Sequence, residues 1–476
     1  AALCLNANGI KTYRFETLRP TPELSFALRE LGCIAGIVVT ASHNPPEYNG
    51  YKVYWEDGAQ ITAPKDKEII AEVNAVTDFA SIQMMDRAEA EKKGLFHVIG
   101  QEIDDQYIQD LTTISLSHEA IARHHDMKIV YTPIHGTGVK LVPAALKAFG
   151  FTNIIHVPEQ DVVSGDFPTV VSPNPEEPAA LAMAVEKAKE VDADIVMASD
   201  PDADRVGAAV KNNEGEWVLL NGNQTALMFV YYLITRWKEL GKLHGKEYIV
   251  KTIVTTETIK TIAEKNGVEI YDVYTGFKWI ANVMRENEGK KAYIGGGEES
   301  YGFLCEDFVR DKDAVSACAM LAEIAAWAKD QGLSMYSLLQ KIYVEYGFSK
   351  EKGISVVKKG KSGAEEIEAM MKRFRENPVS EIAGSKVVAF YDYATLKCHD
   401  YVENEVITLD MPTTSNVLQY FTEDGTKVSI RPSGTEPKIK FYCEVHSKVK
   451  SVDELPEADE AAAEKINQIK ASLGLS

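Results

Sequence analysis

Between residues 22 and 294, short runs of β-branched and apolar residues alternate with longer stretches whose apolar residues recur at helical spacing. That alternation restricts most of the chain to α/β units, with largely parallel sheets expected where strands are joined through helices. The spacing predicts strands at residues 36–40, 128–131, 153–157, 194–198, 248–252, 269–273 and 291–294. It predicts helices at 22–31, 138–149, 179–191, 258–266 and 278–286, the second of them ended by Gly150. At roughly 100–200 residues per domain, 476 residues require several domains. Four are expected: 1–126, 127–243, 244–350 and 351–476. The rhythm changes near residue 350, where SKEKGISVVKKGKSG (349–363) reads as a linker or domain edge. Beyond it the pattern is α+β and closes in a helix over about 456–473.

Charge and cysteine usage narrow the function. Against 51 basic side chains stand 71 acidic ones, a formal charge of −20. This balance argues against nucleic acid or an anionic membrane as the main partner, because both need a basic footprint. The longest apolar run, 226–234, is far short of the roughly 20 residues that span a bilayer, and reads as a buried helix. Six scattered cysteines without a CxxC pair fit a reducing compartment. With no basic leader at the start, a cytoplasmic protein is expected. The chain begins without Met, so a natural N-terminal segment is expected to be absent.

Four strands run directly into loops of small and polar residues: IVVT into ASHNPPEYNGYK, IVMA into SDPDADR, YIGG into GEESYG, and VSI into RPSGTEPK. In open α/β sheets, ligands bind beyond the carboxyl ends of strands. Asp200, Asp202 and Asp204 stand at alternate positions of one tight loop, where their oxygens can turn toward a hard divalent cation. A solvated acidic turn is the alternative, disfavoured because three close like charges repel without a cation. An EF-hand needs Gly and Glu where Arg205 and Lys211 stand. A haloacid-dehalogenase-type Asp nucleophile remains open on this loop alone. Ser42 lies outside any GxSxG elbow, and the adjoining His43 is not by itself its base. Arg431, Ser433, Gly434, Thr435 and Lys438 supply a guanidinium, hydroxyls, an ammonium and backbone N–H donors suited to phosphate. The sole GKS lacks the first Gly of a Walker loop, since Ser355 stands there. Glu298 and Ser300 can bind vicinal sugar hydroxyls after three glycines. TGFKW and VRDKD add Thr275, Gly276, Lys278, Arg310 and Lys312.

Taken in order, TASHNP, DPDADR, GEES and RPSGTEPK resemble the α-D-phosphohexomutase family of phosphoglucomutases and phosphomannomutases. The resemblance implies three similar mixed-sheet α/β domains around a central cleft, plus a C-terminal α+β domain. It implies that Ser42 carries a phosphoryl group and that Asp200, Asp202 and Asp204 hold Mg²⁺ with a phosphoserine oxygen. Arg205 would neutralise phosphate, and Lys52 would transfer a proton. His43, Thr275, Gly276, Lys278, Glu298, Ser300, Arg310 and the 431–438 loop would bind the sugar phosphate. The implied reaction interconverts glucose 1-phosphate and glucose 6-phosphate, with glucose 1,6-bisphosphate as intermediate and activator, in a monomer or homodimer. Two departures stand out. GEESYG places Gly302 where some branches carry a His, which leaves Lys312 as candidate for the second acid/base. Only 41 residues precede Ser42, so the first domain is expected to be truncated and to lack an N-terminal active-site Arg. Alternatives are a phosphopentomutase, a bisphosphate-sugar synthase, a non-catalytic sugar-phosphate-binding protein and a haloacid-dehalogenase phosphatase.

Overall fold

The computed structural model describes residues 1–358, 360–433 and 438–475. The chain forms two compact units, one of residues 1–250 with 276–336, the other of 251–275 with 337–476.

The first unit begins with two small β elements. Thr12–Phe15 pairs in parallel with Phe96–Ile99, and Ala35–Val39 pairs antiparallel with Tyr51–Trp55. Helix Thr21–Glu30 packs its apolar side on Ala35–Val39, where Gly36 admits the Leu24 and Leu28 side chains. A five-stranded sheet follows, ordered 154–156, 129–132, 195–199, 206–211, 217–220. Its first two pairings are parallel and its last two antiparallel, so strand 206–211 runs against the others and the sheet is mixed rather than wholly parallel. The reversal comes from the loop after Ile195–Ser199, which is too tight to hold a crossover helix. Ile195–Ser199 is buried on both faces, as its unbroken apolar sequence requires. Val130, Val196, Leu181 and Ala184 form the core between this sheet and helix Pro178–Val191.

Helix Ala314–Asp330 is apolar nearly all round and is buried from Ala314 to Ala328, against helix Gly138–Phe149 among others. Asp313 caps it, with Oδ1 accepting from the backbone N–H groups of Val315 (2.8 Å) and Ser316 (3.2 Å). The apolar run 226–234 lies inside helix Gly222–Glu239 and is buried there. Hairpin Ala292–Gly297/Phe303–Cys305 presents the GEESYG turn. All six cysteines are free thiols, four of them buried. Among the described residues, no helix is long and apolar enough to cross a membrane.

The second unit is built on an antiparallel sheet ordered 348–357, 438–447, 427–432, 418–422, 385–392, 397–400, 405–408. The segment 349–363, read as a linker or a domain edge, holds strand Phe348–Val357 and the start of helix Gly360–Glu376. The strand stands at the sheet edge, half of it facing solvent, which explains its lysines: charge on an edge strand discourages further pairing. Within this unit a polar network around the buried Lys251 and Lys427 ties 251–257 to the sheet. Lys427 Nζ meets Glu257 at 2.6 Å and Glu444 at 2.9 Å, and Lys251 meets Asp272 at 2.7 Å and Glu257 at 3.0 Å.

Candidate active site

The acidic loop is held by its own backbone. After strand Ile195–Ser199 the chain turns back, with Asp200 N donating to Arg205 O and Ala203 N to Asp200 O. Ala203 takes a left-handed conformation (φ 52°), at a cost of roughly 1–2 kcal/mol. Thr137 N donates to Pro201 O at 2.8 Å, and Gly136 passes so near that a Cβ there would lie 2.4 Å from Pro201 Cα. These constraints bring Asp200, Asp202 and Asp204 together, each buried, each with an oxygen within 4.8 Å of the others.

The serine loop meets this trio. Gly50 lies against the Thr40 carbonyl, 2.2 Å from a would-be Cβ, and closes the neck of loop 40–50. Ser42 is held left-handed (φ 56°), its N–H donating to Thr40 Oγ1 at 2.9 Å. Its hydroxyl donates to Asp200 Oδ2 at 3.1 Å and stands 3.2 Å from His43 Nδ1. Strain at a non-glycine residue in a loop aimed at a charged cluster is characteristic of reactive positions.

Three cations face the three carboxylates. Lys52 Nζ lies 2.9 Å from Asp202 Oδ2 and 3.4 Å from Asp204 Oδ2. Lys312 Nζ lies 2.9 Å from Asp204 Oδ2, and Arg205 Nε lies 3.8 Å from Asp204 Oδ1. Burial alone would lower both lysine pKa values, but the Asp204 charge, joined by Asp202 at Lys52 and by Asp311 at Lys312, raises them above the usual range. Asp204 is correspondingly driven well down, since Lys312, Lys52 and Arg205 outweigh its burial. Asp200 is driven up by burial and by the charges of Asp204 and Asp202. Burial and the Arg205 charge lower His43 to about 4, so its ring is neutral at physiological pH.

Asp202 Oδ1 and Asp204 Oδ1 are buried without a hydrogen-bond partner. Buried carboxylate oxygens with open lone pairs, crowded with a third carboxylate and a hydroxyl, fit a hard divalent cation. The donor set is all oxygen, which suits Mg²⁺ better than a softer metal.

Other expected site residues fall as follows. Glu298 is buried at the hairpin turn; its Oε1 accepts from Gly276 N–H at 2.7 Å, and burial raises its pKa. Gly276 is left-handed (φ 115°) and opens helix Phe277–Asn287. Ser300 is half-buried in the same turn as Glu298. Lys278 Nζ lies 5.4 Å from the Trp279 ring centre. Arg310 is buried and engaged by Glu288 (3.0 Å) and the Asp307 carbonyl (2.7 Å), not by the acidic trio. In the second unit, Thr275 is half-buried, and Arg431 ends strand Lys427–Pro432. Ser433 N donates to Lys438 O at 2.7 Å. Gly434 and Thr435 lie outside the described residues.

Several contacts carried no motif. Thr21 Oγ1 donates to Asp202 Oδ2 at 3.0 Å and Thr21 N to Asp202 O at 2.9 Å, so the first turn of helix Thr21–Glu30 braces the acidic loop. Glu176 lies 3.5 Å from Arg205 Nη1, and Tyr54 binds Asp311.

Four family models match in order. Each is described as Phosphoglucomutase/phosphomannomutase: alpha/beta/alpha domain I over residues 1–79, domain II over 105–215, domain III over 221–346 and the C-terminal domain over 357–471. The chain belongs to the phosphoglucomutase/phosphomannomutase family. A phosphoglucomutase of Staphylococcus haemolyticus is 35% identical over 438 residues, covering 92% of this chain and 78% of the relative. One of Staphylococcus epidermidis is 36% identical over 442 residues, covering 92% and 78%. In fold, the chain is similar to a phosphoglucomutase/phosphomannomutase family protein of Burkholderia thailandensis, with a TM-score of 0.67 at 20% identity, covering 99% and 84%. It is a phosphohexomutase, a mutase of the isomerase class.

Proposed function

We propose that this phosphohexomutase interconverts glucose 1-phosphate and glucose 6-phosphate through a phosphorylated Ser42 and a bisphosphorylated sugar. The observation that carries the reading is the 3.1 Å contact between Ser42 Oγ and Asp200 Oδ2, which joins residues 158 positions apart. A serine outside any GxSxG elbow, whose hydroxyl donates to a carboxylate of the acidic trio, is not set up as a hydrolase nucleophile. Beside three carboxylates and three cations, it suits a phosphoryl group.

Asp200, Asp202, Asp204 and an oxygen on Ser42 would hold Mg²⁺. When bound, the ion would supply positive charge to the phosphoryl oxygens as transfer proceeds. The chain's own residues account for the rest. The Ser42 loop holds Oγ at a fixed place, so the phosphorus–Oγ bond breaks as a bond from phosphorus to a sugar hydroxyl oxygen forms, and the proton that hydroxyl gives up ends on Ser42 Oγ. Lys52 and Lys312, the candidates for proton transfer, are kept protonated by Asp204 and so enter in their acid form, each donating a hydrogen bond to a phosphoryl or leaving oxygen. Arg205 adds a guanidinium that can bind phosphate through two parallel bonds. Glu298 is the acceptor for sugar hydroxyls, and Arg431 with Ser433, Gly434, Thr435 and Lys438 is the site for the phosphate that does not react.

The test is turnover of glucose 1-phosphate and of ribose 1-phosphate, each with Mg²⁺ and catalytic bisphosphate, for the wild type and Ser42→Ala. The reading predicts preference for the hexose, loss of turnover with EDTA and none in the Ala variant. Faster turnover of the pentose would make the chain a phosphopentomutase, and undiminished turnover in the variant would remove Ser42 from the reaction.

A further inference from the structure

The two lysines on the acidic trio are held by different means. Lys52 stands on strand Tyr51–Trp55 and reaches Asp202 and Asp204 directly. Lys312 stands in an irregular segment between the hairpin and helix Ala314–Asp330, with no regular element of its own. A lysine on a four-carbon stem samples many rotamers, so its ammonium is placed only as well as its surroundings place it.

Two of those surroundings are clear. Gly302 leaves room for the Lys312 stem, since a Cβ there would lie 2.2 Å from Lys312 Cδ. Asp311 grips the residue from the other side: its Oδ1 accepts the Lys312 backbone N–H at 2.8 Å and lies 3.5 Å from Nζ. Asp311 is itself buried, and its second oxygen accepts the Tyr54 hydroxyl at 2.5 Å. Tyr54 is wholly buried and comes two residues after Lys52, so both project from one face of the same strand. One strand thus delivers an ammonium to Asp202 and Asp204, and a phenol to the carboxylate behind the second ammonium. Burial and the Asp311 charge hold the phenol far above its usual pKa, so it remains a donor throughout the working range.

A buried phenol needs some acceptor, and any carbonyl would meet that need. What sets this contact apart is the acceptor chosen. It is a charged group whose other oxygen touches a lysine on the trio, and a bond of this kind is short and directional.

We propose that Tyr54 and Asp311 are positioning residues for phosphoryl transfer. Strand Tyr51–Trp55 sets both lysines against the acidic trio, Lys52 through its own stem and Lys312 through the Tyr54–Asp311 hydrogen bond. The proposal rests on the reading that Lys312 acts in the transfer.

Tyr54→Phe removes one oxygen and keeps the ring. Asp311→Asn keeps an acceptor for Tyr54 but takes the charge from beside Lys312. Both, their double variant and Lys312→Ala are assayed for kcat and KM on glucose 1-phosphate at saturating Mg²⁺ and bisphosphate, alongside melting temperature. Loss of a partner one shell out from the reacting groups costs about 10–100-fold, so kcat of Tyr54→Phe should fall about tenfold with KM within about twofold. The double variant should lose less than the product of the two single losses, since the hydroxyl acts only through residue 311. Wild-type kcat in Tyr54→Phe, or a double loss equal to the product of the single losses, would overturn the proposal. Should Tyr54→Phe fail to fold, Asp311→Asn decides alone: an unchanged kcat overturns it. Full turnover in Lys312→Ala would instead overturn the reading of that lysine. An inactive Lys312→Ala beside an unchanged Tyr54→Phe removes only the positioning role.

Discussion

Replacing Gly222 by Ala sets two physical expectations against each other. Gly222 opens helix Gly222–Glu239, beside a reciprocal capping box of Asn221 and Gln224. Ala is favoured over Gly inside a helix by about 0.8–1 kcal/mol, so propensity alone predicts a more stable protein. Space predicts the opposite. A Cβ at Gly222 would lie 1.9 Å from Glu299 O, 2.7 Å from Glu299 C and 2.8 Å from Tyr301 N. These are backbone atoms, with no rotamer by which to step aside. Since 3.0 Å is the closest approach a Cβ tolerates, the helix start and the turn must part by 1.1 Å. That turn carries Glu298 and Ser300, and Val206 N bonds to Tyr301 O at 3.0 Å, which links it to the strand leaving the acidic loop. A misplacement of about 1 Å in a catalytic constellation costs on the order of 10²-fold, or about 2.7 kcal/mol in the barrier. The assay is kcat/KM on glucose 1-phosphate, together with the melting temperature. Wild-type kcat/KM with a raised melting temperature would refute the reasoning, because helix and turn would then not be in rigid contact.

Other perturbations probe the scaffold. Lys427→Met should destabilise the second unit by about 3 kcal/mol in urea unfolding, because it strips Glu444 and Glu257 of a buried counter-charge; a cost within about 1 kcal/mol would mean that the pairs are hydrated. Glu23 is buried beside Asp104, and burial first, then the bond and charge of Asp104, push its carboxyl up to about 9. The folded protein therefore keeps a proton that the unfolded chain releases above pH 4.5, so stability falls as pH rises from about 4.5 to about 9. Glu23→Gln should flatten that slope, and its melting temperature should exceed the wild type's at pH 8.5 by more than at pH 6; equal differences at both pH values would contradict the assignment.

Much of the first unit was legible because local chemistry and tertiary structure agree there. Helix Gly138–Phe149 ends at Gly150 in a left-handed conformation (φ 114°), as the glycine implied. The carboxylates at alternate positions converge because the loop between two paired strands leaves them little else to do. Strand Phe348–Val357 was illegible because an exposed edge strand and a linker share lysines, glycine and serine. The meeting of Ser42 with Asp200 was carried by resemblance, since spacing along the chain holds nothing about a contact 158 positions apart. Thr21, Tyr54 and Asp311 escaped for a related reason: one hydroxyl on a helix, one phenol on a strand and one acid in a turn acquire meaning only through what they touch.

The central claim is that Ser42 Oγ, lodged against the acidic trio, carries the phosphoryl group. Intact mass and phosphopeptide mapping after incubation with glucose 1,6-bisphosphate and Mg²⁺ test it most directly. One added phosphoryl group is expected on the peptide containing Ser42, removed by excess glucose 1-phosphate and absent from both Ser42→Ala and Asp202→Asn. Phosphate on another residue, or none on a chain that still turns over substrate, would contradict it.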